Sequence, residues 1–136
     1  KFFITKEALT ELPNRLKKSQ DVFEQTGGLH AAGLFDSEGD LLIIREDVGR
    51  HNAIDKVIGK ALTEGVDLTD VVLQLSGRVS FEVVQKALMV GIPLVSAISA
   101  PTSLAVNFAE RGDLTLIGFM RGEKMNIYSG TDRVKN

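Results

Sequence analysis

The amino-acid sequence predicts an α/β fold in which a mixed β-sheet carries helices on both faces. The spacing of apolar residues changes repeatedly between the two-residue period of strands and the 3.6-residue period of helices. The resulting order is helix, hairpin, helix, strand, helix, strand, helix, strand, strand. Strands joined by helices run parallel through right-handed crossovers, and the opening hairpin adds an antiparallel pair. We therefore expect a three-layer sandwich, formed by residues 1–136 as one domain.

The first elements predicted are a helix and a hairpin. Leucines recur on one helical face over residues 6–25, with a break allowed at Pro13, and we expect this helix to end at residues 26–28. Residues 29–35 and 41–45 favour strands and are separated by a polar turn cluster. This pattern predicts a β-hairpin.

The second helix is predicted over residues 52–63, where the apolar period changes to 3.6. Asn52 is able to cap this helix, and Asp55 suits its first turn. Strands and helices then alternate. The remaining strands are predicted at 71–75, 93–98, 114–119 and 125–128, and the remaining helices at 79–90 and 101–111. Pro101 suits a first helical turn because the N–H that proline lacks is not needed there.

Composition limits the classes of function. The 16 basic and 18 acidic residues give a net charge of −2, so no nucleic-acid partner is expected, and no apolar run is long enough to indicate a membrane span. The sequence contains no Cys, which excludes thiolate zinc sites and cysteine nucleophiles from these residues. The first residues lack a secretory signal and an initial Met. We expect a cytoplasmic protein and a segment of a longer one.

Polar clusters follow the strands where an open α/β sheet binds ligands, beyond the carboxyl ends of its parallel strands. These clusters occupy residues 46–52, 76–80, 99–103 and 121–124. Free N–H groups at helix starts, small residues, and the guanidinium groups of Arg50, Arg78 and Arg121 favour anion binding. Any one such loop is more often a solvated turn. The convergence of four loops on one rim is what predicts a phosphate site.

Single residues in these loops have alternative interpretations. His51 is a ligand, a proton shuttle or, as most lone histidines are, a locally bonded helix-start residue. Asp47 pairs with Arg50 or holds a ribose or guanine edge. Asp55 fits a first-turn carboxylate better than a general base. A metal pair formed by His51 and Asp55 is disfavoured because the chain has only two histidines.

The order of elements resembles that of the cytidine-deaminase type of three-layer sandwich. A zinc deaminase needs His (or Cys)-x-Glu at the start of the helix after the hairpin and Pro-Cys-x-x-Cys at the next helix start. Here RHNA stands at residues 50–53 and SGRVS at residues 76–80. We therefore expect a cytidine-deaminase-like fold without the zinc site.

Four strings place the chain near one family. TGGLHAA at residues 26–32, EDVGRHNAIDK at 46–56, SGR at 76–78 and GFMR at 118–121 closely resemble the FdhD family of formate dehydrogenase accessory proteins. The likeness runs from near the first helix to the C-terminus, and the strings occur in the expected order.

The resemblance implies a cytoplasmic sulfur carrier, and the persulfide-bearing Cys-x-x-Cys motif of that family would lie in a loop that precedes Lys1.

 The resemblance implies that the carrier accepts persulfide sulfur from a cysteine desulfurase. The carrier would pass this sulfur to the molybdenum cofactor, in its bis-molybdopterin guanine dinucleotide form, before the cofactor is inserted into formate dehydrogenase. A homodimer is implied as well. Because this chain has no Cys, we expect no catalytic residue in it and no sulfur transfer by the chain alone.

The resemblance also indicates where cofactor binding is expected. Residues 119–124 match the segment that the family uses for the cofactor, and they fall on the predicted rim. We expect the three rim arginines to meet phosphate charge and Asp47 and Asn52 to meet a guanine or ribose edge. The full expected set is Asp47, Gly49, Arg50, His51, Asn52, Ser76, Gly77, Arg78, Ser99, Thr102, Phe119, Met120, Arg121, Gly122, Glu123 and Lys124.

Two other functions stay open at this point. The chain is alternatively a dimerisation or docking module for the desulfurase or the dehydrogenase, with no ligand of its own. A metal-free relic with nucleobase hydrolase activity is the third alternative. Binding of guanine nucleotides, as fragments of the cofactor, separates the first function from the second.

Overall fold

The structure, a computed structural model, describes residues 1–22 and 29–136, with side chains described for residues 1–20 and 29–136. The predicted end of the first helix at residues 26–28 lies outside the described residues. The described helices are α1 (Lys6–Val22), α2 (Arg50–Glu64), α3 (Phe81–Val90) and α4 (Ser103–Arg111). The described strands are β1 (Ile4–Thr5), β2 (His30–Phe35), β3 (Leu41–Asp47), β4 (Val72–Leu75), β5 (Leu94–Ala97), β6 (Thr115–Arg121), β7 (Lys124–Ser129) and β8 (Val134–Lys135).

Six of the described strands form one mixed sheet in the order β3-β2-β4-β5-β6-β7. Strands β4, β5 and β6 run parallel, whereas β2 is antiparallel to both of its neighbours and β7 is antiparallel to β6. Strand β3 therefore points the same way as β4. The carboxyl ends of β3, β4, β5 and β6 meet the first residues of β2 and β7 at one edge of the sheet, which we call the rim.

Alternate residues of each strand face opposite sides of the sheet and build two cores. On one face, sheet residues pack against α1, whose leucines at 9, 12 and 16 are buried. On the other face, sheet residues pack against α2, α3 and α4. The α1-side core includes Phe35, Ile44, Val72, Leu94 and Ile117, and the opposite core includes Leu34, Ile43, Leu73, Val95 and Leu116. The mixed sheet with helices on both faces is confirmed.

Helix α1 lies close to the sheet and is continuous through Pro13. A Cβ atom on Gly33 of β2 would lie 2.7 Å from Leu16 Cδ1, so glycine is what permits this approach. Buried leucines on both sides of Pro13 hold the helix against the sheet. Tertiary packing of this kind stabilises a helix more than local propensity does, and the break allowed at Pro13 does not occur.

Helix α2 begins at Arg50, two residues before the predicted start, with Gly49 as its N-cap residue. The prediction that Asn52 caps the helix is therefore wrong. Asp55 is not a capping carboxylate of the first turn either, because α2 has no acidic residue in its first turn. Its Oδ1 instead accepts a hydrogen bond from Lys86 Nζ of α3 at 2.8 Å. The earlier start follows from Asp47, whose Oδ1 accepts the Gly49 N–H at 2.9 Å and closes the turn before the helix.

Helix α4 begins at Ser103, and Thr102 is its cap, since Thr102 Oγ1 accepts the Ala105 N–H at 3.1 Å. The placement of Pro101 in the first helical turn is wrong. Pro101 instead forms an isolated bridge with Val79, and the Thr102 N–H donates to the Val79 carbonyl at 3.1 Å. The loops that follow β4 and β5 are thus joined before their helices begin.

Strands β1 and β8 were not predicted. They form a separate parallel pair, with Ile4 beside Val134 and Thr5 beside Lys135. Two residues are too few to show an apolar period. Ile4 is buried in the same core as the α1 leucines, so the pair lies on the α1 side of the sheet. No helix within the described residues combines the length and the apolar character needed to cross a bilayer.

Candidate functional site

The rim brings together polar segments that are far apart in sequence. Residues 47–52 follow β3, residues 76–80 follow β4, residues 98–102 follow β5 and residues 119–124 surround the β6–β7 turn. The bridge between the second and third segments fixes one pair of loops. The N–H of residue 119 donates to the carbonyl of residue 99 at 3.4 Å and joins the third segment to the fourth. The predicted clusters therefore share one edge of the sheet.

Asp47 organises the turn that leads into α2. Its Oδ2 lies 2.6 Å from Lys56 Nζ, and its Oδ1 accepts hydrogen bonds from the Gly49 N–H at 2.9 Å and from Asn52 Nδ2 at 3.4 Å. The hydrogen bond from Lys56, followed by that from Gly49, lowers the pKa of Asp47 to about 2. Asp47 pairs with Lys56 rather than with Arg50, and the guanine-edge role of Asp47 and Asn52 stays a prediction.

Arg50, Gly77 and His30 meet where α2 begins. A Cβ atom on Gly77 would lie 3.3 Å from His30 Nδ1 and 3.7 Å from Arg50 Cδ, so the glycine lets both side chains lie against the backbone. The Nε atom of Arg50 is buried and has no hydrogen-bond partner in the part of the chain that the structure describes. A buried guanidinium N–H without an acceptor is destabilising. An anionic oxygen placed there would relieve that cost.

His51 has a local polar contact, since its Nε2 lies 3.4 Å from Ser80 Oγ. Close to Ser80, the carboxylate of Glu82 accepts hydrogen bonds at the start of α3. Its own backbone N–H, and then the Ser80 hydroxyl, lower the pKa of Glu82, with smaller contributions from His51 and Arg50. The interpretation of His51 as a locally bonded helix-start residue matches this geometry.

The end of β6 is irregular. Phe119 has a φ of 54°, in the left-handed region that residues other than glycine rarely adopt, and the pairing with β7 shifts between Gly118 and Arg121. A Cβ atom on Gly118 would lie 2.9 Å from both the Ser99 carbonyl oxygen and Pro101 Cδ. The bulge leaves the Phe119 side chain 43% exposed while the next residue, Met120, is buried. Backbone strain of this kind is frequent at functional sites.

Among the hollows that open at the rim, one lies on the α1 side of the sheet and another lies on the α2 side. The α1-side hollow has a volume of about 520 Å³, and the α2-side hollow has a volume of about 460 Å³. The α1-side hollow is lined by Thr10, Pro13, Asn14, Leu16, Lys17, Gln20, Leu29, His30, Ser76, Ile98, Met120, Arg121 and Gly122. The α2-side hollow is lined by His30, Val48, Gly49, Arg50, His51 and Asn52. His30 lines both hollows.

The three arginines that were predicted to bind phosphate do not lie together in one hollow. Arg121 lines the α1-side hollow, Arg50 lines the α2-side hollow, and Arg78 is exposed and lines neither. Thr102 also lies outside both hollows, with its hydroxyl oxygen capping α4. Ser76 Oγ accepts the Ala31 N–H at 2.9 Å, which leaves the hydroxyl proton of Ser76 free to face the α1-side hollow.

Sequence reasoning missed His30 and every α1 residue of the first hollow. The rule that places ligands at an open α/β sheet refers only to the carboxyl ends of parallel strands. Strand β2 runs in the opposite direction, so its first residue reaches the same rim. The signal available in the sequence was the hairpin itself, because the strand that begins an antiparallel hairpin starts at the edge where its partner ends. Among the residues that the structure describes, no three His, Asp or Glu side chains are grouped as a metal site requires.

Comparison with known proteins identifies the family. The model of the FdhD/NarQ family matches residues 1–135. The chain belongs to the FdhD/NarQ family. Two FdhD relatives are named as sulfur carrier proteins: one from Streptomyces coelicolor is 57% identical over 132 residues, and one from Nocardia farcinica is 58% identical over 131 residues. Each match covers 96% of this chain and 47% of the relative, so the chain spans about half the length of these relatives.

A solved structure supports the same family assignment. It is described as a formate dehydrogenase accessory protein from Desulfotalea psychrophila, and it is 30% identical to this chain with a TM-score of 0.89. The match covers 98% of this chain and 60% of the solved chain. The resemblance to the FdhD family that the four strings indicated is confirmed.

Proposed function

We propose that this chain is the cofactor-binding part of a sulfur carrier. In this proposal, persulfide sulfur passes from a cysteine desulfurase to the molybdenum cofactor in its bis-molybdopterin guanine dinucleotide form, which then enters formate dehydrogenase. Family membership and the names of the relatives support the sulfur-carrier role, and the solved neighbour supports the link to formate dehydrogenase. Because the chain has no Cys, the sulfur-bearing thiol is supplied from outside residues 1–136.

The observation that carries the proposal is the pair of hollows that have His30 as a common lining residue. Each has the size of a small-molecule site and each is lined by an arginine. Arg50 offers a buried Nε–H that lacks an acceptor in the described part of the chain, and Arg121 lies beside the bulge of β6. These groups fit the phosphate oxygens of a nucleotide substrate.

In this proposal each rim residue has one role. Arg50 and Arg121 bind phosphate oxygens, and Arg78 approaches the same charge from the outer edge of the rim. The backbone of residues 119–124 lies alongside the ligand. Asp47 holds the 47–56 turn in place through Lys56, and Asn52 meets a ribose or base edge from that turn. The protein binds and orients its substrate, and the sulfur chemistry takes place on the external thiol.

Calorimetric titration with GDP tests the proposal. We expect the chain to bind GDP and Arg50→Ala and Arg121→Ala to weaken binding by about tenfold or more, because a hydrogen bond to a charged group contributes about 1.5–3 kcal/mol. Arg111→Ala is the matched control, since Arg111 is exposed at the end of α4 that lies away from the rim. Titration of an Arg78→Ala variant with GDP shows whether Arg78 also contributes to binding. Negligible heats for the unmodified chain would contradict the proposal.

A docking or dimerisation module without a ligand is the second candidate function. Apolar side chains on the outer helical layer favour it, since Leu62 of α2, Met89 of α3 and Leu104 of α4 are 63%, 80% and 60% exposed. Light scattering of the chain and of a Met89→Lys variant measures whether this layer mediates a homodimer. Dimerisation without GDP binding would favour the second function over the first.

Three further parts of the proposal follow from the family resemblance. We infer that the protein acts in the cytoplasm, that it works as a homodimer, and that its fold is of the cytidine-deaminase type without the zinc site. The six-stranded mixed sheet with helices on both faces supports the last of these. Structural superposition on a deaminase, including the direction of each strand, tests it.

A further inference from the structure

Both histidines of the chain line the α2-side hollow. His30 comes from the start of β2 and His51 from the first turn of α2, and Arg50 lies in the same hollow. Imidazole is the side chain whose charge ordinarily changes between about pH 5 and pH 8. A guanidinium and two imidazoles in one hollow therefore form a site whose positive charge depends on pH. Neither histidine has a role in the proposed function.

His51 is held by a chain of polar contacts that runs to the start of α3. Its Nε2 lies 3.4 Å from Ser80 Oγ, and the Ser80 hydroxyl bonds to the Glu82 carboxylate. A hydroxyl donates one proton, and since the Ser80 proton goes to the carboxylate, Ser80 Oγ accepts the Nε2–H of His51. Ser80 is the N-cap residue of α3 but makes no capping hydrogen bond with its side chain. Its hydroxyl is therefore available for this contact.

This chain of contacts makes Nδ1 the acceptor of the neutral His51 ring. A neutral imidazole has one donor nitrogen and one acceptor nitrogen, whereas an imidazolium donates from both. A phosphate oxygen is itself an acceptor, so it bonds to the protonated ring and not to an unprotonated Nδ1. A phosphate that binds beside Arg50 therefore favours protonation of His51.

We propose that His51 takes up a proton when phosphate binds in the α2-side hollow, and that Ser80 and Glu82 are positioning residues that orient its ring. This inference rests on the proposed function and adds the dependence of that site on pH. The proton comes from the solvent and is added at Nδ1, and no other covalent bond forms or breaks. Binding is strongest at low pH, where the ring is already protonated, and weakens as the pH rises and protons become scarce.

Charged groups from each neighbouring element surround His51. On α2, Arg50 repels an imidazolium, and on α3, Glu82 attracts one. From β2, His30 adds a second imidazole, and the loop before α3 carries the exposed Arg78. The acidic residues on either side of His51 along the chain are already neutralised by lysines, in the pairs Asp47–Lys56 and Asp55–Lys86. A phosphate at Arg50 offsets the repulsion from the guanidinium and so shifts the balance towards the protonated ring.

Calorimetric titration with GDP between pH 6 and pH 8 tests this inference on the chain and on a His51→Gln variant. The glutamine amide keeps an N–H that can donate to Ser80 but carries no titrating group. Because the terminal phosphate of GDP also titrates near neutral pH, the quantity to compare is the ratio of the two affinities at each pH. The affinity of the unmodified chain divided by that of His51→Gln is expected to fall by about fivefold or more from pH 6 to pH 8.

Variants of the positioning residues separate orientation of the ring from a structural role. Ser80→Ala and Glu82→Gln are expected to bind GDP with a smaller dependence on pH, and Ser80→Thr, which restores a hydroxyl, is expected to recover it. Ser37→Ala and Glu110→Gln are the matched controls, because both residues are exposed and neither lines the hollow. A structural role alone would change the affinity by the same factor at every pH.

NMR of the chain with ¹⁵N-labelled histidine identifies the ring that takes up the proton. At about pH 7.5, His51 is expected to be the neutral Nε2–H form without GDP and an imidazolium with GDP bound. The His51→Gln spectrum assigns the two histidines, because it retains only the signals of His30.

The outcomes separate this inference from the proposed function. If GDP binds but the affinity ratio stays constant from pH 6 to pH 8, or the ring that takes up the proton is that of His30, the inference is overturned while the proposed function stands. If GDP does not bind the chain at all, both are overturned. A falling ratio together with an imidazolium at His51 supports both.

Discussion

The two sides of the rim are built in different ways. On the α2 side, most of the bonds join neighbours in sequence: Asp47 contacts Gly49, Asn52 and Lys56, and only the contact of His51 with Ser80 spans a longer separation among these bonds. On the α1 side, the wall is assembled from one helix and from strand ends that are distant in sequence. Local chemistry organises the first side, whereas the topology of the sheet creates the second. A site of the second kind leaves little trace in any single stretch of sequence.

The largest expected effect is a loss of stability, and it compares the core on the α1 face of the sheet with the core on the opposite face. Leu16→Ala removes a fully buried side chain between α1 and Gly33, and we expect it to reduce the free energy of unfolding by about 2–5 kcal/mol. Because α1 forms one wall of the α1-side hollow, GDP binding is expected to weaken as well. Urea denaturation and calorimetry measure the two effects.

The matched control for that prediction is Leu73→Ala, which opens a cavity in the core on the opposite face. Its cost in unfolding free energy is expected to be similar. GDP affinity should fall less than in Leu16→Ala, as long as both variants remain folded at the temperature of the titration. Equal losses of GDP affinity in the two variants would mean that α1 is no more important to binding than the other helical layer.

The next prediction concerns the turn on the α2 side. The pKa of Asp47 is about 2 in the folded protein against an ordinary value of 3.8, so the folded state favours the carboxylate. The stability that this group contributes is complete above pH 3.8 and is lost as the pH falls towards 2. Asp47→Asn is therefore expected to have a lower Tm than the unmodified chain at pH 6, and the difference should shrink as the pH approaches 2.

NMR titration of Asp47 provides the companion measurement. Lys56→Met removes the hydrogen bond that contributes most to the shift, so the pKa of Asp47 is expected to rise towards its ordinary value. A Tm difference between Asp47→Asn and the unmodified chain that stays constant from pH 6 to pH 2 would show that this ion pair does not hold the turn.

The smallest expected effect lies between α2 and α3. Lys86 and Asp55 form an ion pair at 2.8 Å, but their side chains are 33% and 54% exposed. Exposed pairs of this kind contribute at most about 1 kcal/mol. A double-mutant cycle with Asp55→Asn and Lys86→Met is expected to give a coupling energy below that value and unchanged GDP binding. A coupling of several kcal/mol would require a larger role for this contact in positioning α2.

Most of the fold was predictable because periodicity and strand-end rules act locally. The order of elements, the mixed sheet and the shared rim all follow from apolar spacing and from the turn residues. The starts of α2 and α4 were not predicted, since the decisive groups, Asp47 and Thr102, precede the apolar pattern. The pair formed by β1 and β8 is too short to show a period.

The site was predictable in part for the same reason. Arg50 and Arg121 lie in loops whose place follows from strand direction, and the structure confirms that both line hollows at the rim. Gln20 and Lys17 were missed because polar residues on an amphipathic helix are normally solvated, and only the position of α1 over the strand ends makes them part of a hollow. His30 was missed because β2 runs against the parallel strands.

The pairing of Ile4 with Val134 ties the beginning of the chain to its end. Because α1 starts directly after β1, this contact acts as a clasp on the helix that forms one wall of the site. Removing the final three residues would release that clasp without touching any residue of either hollow. The position of α1, and with it the shape of the α1-side hollow, therefore depends in part on a contact made far from that hollow.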